Sequence, residues 1–156
     1  MMQAPAKQQS LFLANEDATI AFAAKIAPLL KSGDCVLLSG DLGMGKSTFA
    51  RAVIRARLDD PEMEVPSPTF TLVQVYEAET PVFHFDLYRL GDSSELVELG
   101  LDEALDEGIS LIEWPEQGEG FLPSNAILLS FREEGEGRRL SLDGPQDRIK
   151  ELQPAL

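Results

Sequence analysis

Gly40, Gly43, Gly45, Lys46 and Ser47 stand together in Gly40-Asp41-Leu42-Gly43-Met44-Gly45-Lys46-Ser47. Their spacing satisfies G-x-x-x-x-G-K-[ST], the phosphate-binding P-loop pattern. Glycines lack Cβ, so the backbone can take positive φ and turn its N–H groups inward. Those donors, with the positive end of a following helix, suit phosphate oxygens. Lys46 is expected to reach the β- and γ-phosphates, and the Ser47 hydroxyl to ligate Mg²⁺. With glycine at roughly 7% of residues, a chance match is expected in about one chain in a few hundred of this length.

A magnesium ion in such a loop needs a carboxylate near Ser47, commonly from the end of a neighbouring strand. Two acids stand at predicted strand ends: Glu113 after Leu111-Ile112, and Asp86 after Phe83-His84-Phe85. An acid in that place often does no more than end a strand, but the P-loop shifts the balance toward function. Thr69, in the stiff turn Pro66-Ser67-Pro68-Thr69, has the placement of a switch threonine whose hydroxyl senses Mg²⁺ or the γ-phosphate. Spacing allows equally that it caps its own turn. His84 reads as a packed strand residue, and Trp114 as either a stacking or a core side chain.

The elements that must position these groups follow from the apolar pattern. Cys35–Ser39 is a short apolar run of strand length, and Ser47 to about Leu58 carries Phe49, Ala50, Val53 and Ile54 on one helical face. Upstream, Ser10–Leu13 reads as a strand and Asn15 as the cap of a helix ending at Gly33. Downstream, strands are predicted over Phe70–Glu77, Val82–Tyr88 and Ile109–Glu113. A capping-box helix begins at Asp92-Ser93-Ser94-Glu95 and is broken at Gly100, and a closing hairpin spans Ala126–Phe131 and Arg138–Leu142. This order predicts an α/β, P-loop NTPase-like three-layer sandwich with parallel central strands and antiparallel strands at the edges. Residues 1–156 are expected to form a single domain, with 1–9 and 145–156 as loose tails.

The chain has 156 residues, 44% of them hydrophobic, and a net charge of −14. Such acidity argues against a broad nucleic-acid or anionic-membrane surface, although a P-loop stays locally positive. One cysteine, Cys35, excludes an internal disulfide framework. Met1–Ser10 is polar and no stretch is apolar and long enough to span a bilayer, so a cytoplasmic protein away from membranes is expected. The asparagines, Asn15 and Asn125, begin no Asn-Lys-x-Asp element, which disfavours a guanine-specific GTPase. No arginine-rich lid is evident, leaving an ATPase that drives a partner ahead of a small-molecule kinase with a reduced lid.

Four blocks occur in order: the P-loop, Ser67-Pro68-Thr69-Phe70-Thr71-Leu72-Val73, His84-Phe85-Asp86-Leu87-Tyr88-Arg89-Leu90, and Ile112-Glu113-Trp114-Pro115-Glu116. Together they closely resemble the bacterial TsaE family, also called YjeE, over about residues 10 to 142. The resemblance implies an ATPase that, with TsaD and TsaB, serves threonylcarbamoyladenosine modification of tRNAs reading codons that begin with A. It implies contact with tRNA only through that assembly. By position it implies Ser47 and Glu113 as Mg²⁺ ligands and Gly43 to Thr48 (with Met44, Gly45 and Lys46) as the cradle of ATP. It further implies Asp86 for hydrolysis, Thr69 as the switch-like threonine, and Thr19 and Arg138 or Arg139 near the nucleotide. Met44 and Ser47 depart from the alanine and threonine usual in the family; serine keeps the hydroxyl that binds the metal.

Overall fold

The structure, a computed structural model, describes residues 9–156. One sheet holds β1 (Gln9–Leu13), β2 (Cys35–Ser39), β3 (Val73–Tyr76), β4 (Val82–Asp86), β5 (Ile109–Glu113), β6 (Ile127–Glu134) and β7 (Gly137–Asp143). Their order across the sheet is β1-β7-β6-β2-β5-β4-β3. The central run β6-β2-β5-β4 is parallel, and antiparallel pairing adds β3 at one edge and β7 and β1 at the other. Every residue of β4 and β5 is buried, as expected of parallel strands covered on both faces.

Strand alternation divides the core into two layers. Val36 and Leu38 of β2 and Ile109 and Leu111 of β5 pack with Phe22 of α1 (Glu16–Ile26) and Phe49 and Val53 of α2 (Lys46–Arg57). Phe22 and Phe49 stack there with ring centroids 5.7 Å apart. On the other face Cys35, Phe83, Phe85 and Ile112 pack against Leu96 of α3 (Glu95–Glu98) and Leu101 and Ala104 of α4 (Leu101–Glu107). A period of two therefore places Glu113, in step with Ile109 and Leu111, on the α2 face. His84 and Asp86, in step with Val82, share that face.

Local signals explain most boundaries. Asn15 accepts the Ala18 N–H at 2.9 Å and caps α1, whose first turn carries Glu16 and Asp17. Gly100, at φ 87°, separates α3 from α4 where an ordinary side chain would be strained. The strand predicted over Phe70–Glu77 is shorter than expected. Leu72 takes φ 71°, its N–H meets the Pro68 carbonyl at 2.7 Å, and pairing begins only at Val73.

The expected loose C-terminal tail is corrected by the structure. Gln146–Glu151 forms α5, a 3₁₀ turn follows, and Ile149, Leu152 and Ala155 are buried against the α1–α2 layer. Arg148 anchors this segment by donating to the Asp34 carboxylate and the Leu29 carbonyl. Three apolar residues spaced by three among polar ones are too few to read as a periodic helix, yet suffice to dock one. Of the N-terminal tail expected over 1–9, residues 1–8 lie outside the described residues, and Gln9 begins β1.

Candidate functional site

The loop between β2 and α2 curls through Gly40, Gly43 and Gly45, at φ 143°, 80° and 103°. A Cβ on Gly40 would lie 2.6 Å from the Phe131 carbonyl oxygen, so β6 packs directly on this turn. A Cβ on Gly43 would meet nothing within 4 Å. The loop forms one wall of a cleft of about 560 Å³, lined also by Thr19, Thr69, Asp86, Glu113, Trp114 and Arg138.

Lys46, at the first position of α2, is only 4% exposed. Its ammonium donates to the Gly40 carbonyl and rides 3.3 Å above the centroid of the Trp114 ring. Burial pushes its pKa down, opposed by Glu113, Glu116, Asp86 and Asp41. Trp114 is held under the ammonium because it leaves β5 in the left-handed region, at φ 57°, with Pro115 opening the next turn. Tyr88 packs against the same indole at a tilt of 51°, with centroids 5.0 Å apart.

Ser47 Oγ donates to Glu113 Oε1 at 2.7 Å, and Glu113 Oε2 lies 2.6 Å from His84 Nε2. Burial alone would raise the Glu113 carboxyl, but the hydrogen bond and charge of His84, the Ser47 hydroxyl and the Lys46 ammonium outweigh it. The group is held below its ordinary value. Asp86 stands beside Glu113 in the β4–β5 register. Its Oδ2 accepts from Thr69 Oγ1 at 3.1 Å and its Oδ1 from the Tyr88 N–H at 3.0 Å. Ser67 Oγ lies 2.6 Å from Thr69 Oγ1, tying the Pro-Ser-Pro-Thr turn to the end of β4.

These donors fit Mg²⁺. Octahedral ligands at about 2.0–2.1 Å place neighbouring oxygens about 2.9 Å apart. The Ser47 and Glu113 oxygens need move little from 2.7 Å to reach that separation. One hydroxyl and one carboxylate, with phosphates and water completing the shell, is an ordinary magnesium donor set.

Most of the expected site residues meet in the cleft: Thr19, Gly43 to Thr48, Thr69, Asp86, Glu113 and Trp114. Gly40 shapes the turn from behind. Arg139 is a correction. Its guanidinium pairs with Glu134 at 2.8 Å and lies over the Phe12 ring on the opposite face of the sheet. Arg138 lines the cleft instead and donates to the Gly43 carbonyl at 3.1 Å. Alternation decides between them, because Arg138 is in step with Leu140 and Leu142 of the α1–α2 layer. Sequence reasoning also missed Asn15 and Glu16 at the start of α1, Tyr88, the hairpin residues Glu136 and Gly137, and the engagement of His84.

Fold and site together define a mixed α/β protein whose central strand feeds a glycine loop into the N-terminus of a helix, with two carboxylates of adjacent strands beneath it. The family model described as "Threonylcarbamoyl adenosine biosynthesis protein TsaE" matches residues 13–140, and the chain belongs to that family, which takes part in tRNA threonylcarbamoyladenosine biosynthesis. The tRNA threonylcarbamoyladenosine biosynthesis protein TsaE of Rickettsia felis is 40% identical over 131 residues, covering 83% of this chain and 76% of that protein. The protein of the same name from Bacillus subtilis is 36% identical over 135 residues, covering 85% and 83%. The crystal structure of Bacillus subtilis YdiB superposes with a TM-score of 0.77 at 28% identity, over 97% of this chain and 95% of that one.

Proposed function

We propose that this protein is a Mg²⁺-dependent ATP-binding protein and weak ATPase. It works in the cytoplasm with TsaD and TsaB in threonylcarbamoyladenosine modification of tRNAs reading ANN codons, and meets tRNA only through those partners. One observation carries the reading: the Ser47 hydroxyl and the Glu113 carboxylate meet at 2.7 Å directly under the glycine loop. Among the described residues no helix is long and apolar enough to cross a membrane.

Each residue then has a task. The inward N–H groups of Gly43 to Thr48 and the start of α2 hold the phosphates. Lys46 exchanges the Gly40 carbonyl and the Trp114 face for phosphate oxygens, and its burial makes that charge more effective than it would be in water. Ser47 and Glu113 hold Mg²⁺, which would neutralise charge on the β- and γ-phosphates. Asp86 accepts a proton from, and orients, the attacking water, while Thr69, already bonded to Asp86, links the γ-phosphate to its exposed turn. Hydrolysis is slow alone and rises in the assembly.

Calorimetry with ATP and Mg²⁺, followed by phosphate release with TsaD and TsaB added, tests this. Lys46→Ala is expected to abolish ATP binding. Asp86→Ala is expected to bind ATP normally and to lose turnover by about 10²-fold or more, the scale of a positioned acid–base group. Tight ATP binding by Lys46→Ala, or full turnover by Asp86→Ala, would overturn the proposal.

A further inference from the structure

His84 is the chain's single histidine and is 1% exposed in β4, with no part in the steps above. In the sheet register it stands opposite Leu111, while Asp86 stands opposite Glu113, so the imidazole reaches Glu113 diagonally. Its Nε2 lies 2.6 Å from Oε2, and the Ser47 hydroxyl occupies Oε1. Both carboxylate oxygens are thus engaged, each by a different side chain. The other ring nitrogen, Nδ1, is buried and has no hydrogen-bond partner among the described residues.

The carboxylate facing Nε2 sets the direction of that bond. An ionised carboxylate only accepts. Nε2 is therefore the donor and Glu113 Oε2 the acceptor. We propose that His84 is the positioning residue of Glu113: its Nε2–H pins Oε2, so that Oε1 alone faces Ser47 and the metal. The inference rests on the nucleotide reading above and deepens it. Without the imidazole the carboxylate is free to rotate about its last torsion, leaving a buried oxygen unpaired and both oxygens competing for one position. Hydrogen-bonding partners behind metal-ligating groups commonly account for about 10–100-fold in metal affinity.

The test uses the geometry of two amide replacements. In His84→Gln the amide nitrogen falls near the place of Nε2; in His84→Asn it falls near Nδ1 and cannot reach Oε2. ATP binding is measured by calorimetry across a Mg²⁺ titration, with an EDTA arm for metal-free binding and urea unfolding to monitor the fold. His84→Asn is expected to raise the half-saturating Mg²⁺ concentration about 10–100-fold. His84→Gln is expected to return it to within a few-fold of wild type, with metal-free binding unchanged in both. Wild-type Mg²⁺ dependence in His84→Asn, or equal loss in both variants, would overturn the assignment. Wild-type protein that binds no ATP at any Mg²⁺ concentration would overturn the nucleotide reading itself, before any variant is compared.

Discussion

Alanine placed at Gly40 and at Gly43 separates two reasons for glycine within one loop. Both residues have positive φ, 143° and 80°, so each alanine carries a conformational cost, of about 1–2 kcal/mol for an L-residue in the left-handed region. They differ in surroundings. The added Cβ at Gly40 would sit 2.6 Å from the Phe131 carbonyl oxygen and 3.2 Å from its Cβ, while at Gly43 nothing lies within 4 Å. The obstacle at Gly40 is the backbone of β6, itself paired to β2 and β7, so it cannot yield as a flexible side chain would. Forcing an extra carbon into such packing costs about 1–3 kcal/mol more. Gly43→Ala is therefore expected to lose about 1–2 kcal/mol and Gly40→Ala about 2–5 kcal/mol in equilibrium urea unfolding, with unchanged slopes. At this chain length the difference is about 2–4 °C in midpoint per kcal/mol. If Gly40→Ala proved no less stable than Gly43→Ala, the direct seating of the loop on β6 would be refuted.

Two further outcomes follow from packing and charge. Leu152, fully buried beyond α5, joins the α1–α2 core, and Leu152→Ala is expected to cost about 2–5 kcal/mol in the same unfolding assay; a loss below about 0.5 kcal/mol, usual for surface sites, would mean the segment is not docked in solution. Glu113 is held below its ordinary value of 4.5 in the fold, so its ionised form contributes stability that is complete above that pH and is lost as pH falls through the folded value. The stability gap between wild type and Glu113→Gln is expected to narrow as pH drops below about 4.5, and a gap that stays constant down to about pH 3 would contradict the depressed value.

The glycine loop was legible from the chain alone because its chemistry is made by contiguous backbone. Gly40, Gly43, Gly45, Lys46 and Ser47 need only one another, a strand before and a helix after. The strand ends at Asp86 and Glu113 were legible for a similar local reason, an acid closing an apolar run. The antiparallel pairing of β6 with β7 was legible from two strand-length runs separated by turn residues.

What stayed hidden depends on residues far apart in sequence. Glu113, and not Asp86, bonds Ser47 because β5 lies directly beside β2 while β4 lies one strand further out. Strand order of that kind is settled by how helices cover both faces of the sheet. Arg138 enters the cleft and Arg139 does not, because pairing of Leu13 with Arg138 and Phe12 with Arg139 sets which face each side chain takes. The histidine behind Glu113 and the docking of α5 are likewise contacts between distant segments. A local pattern records which groups a segment offers; which of them meet is decided by burial shared across the whole sheet.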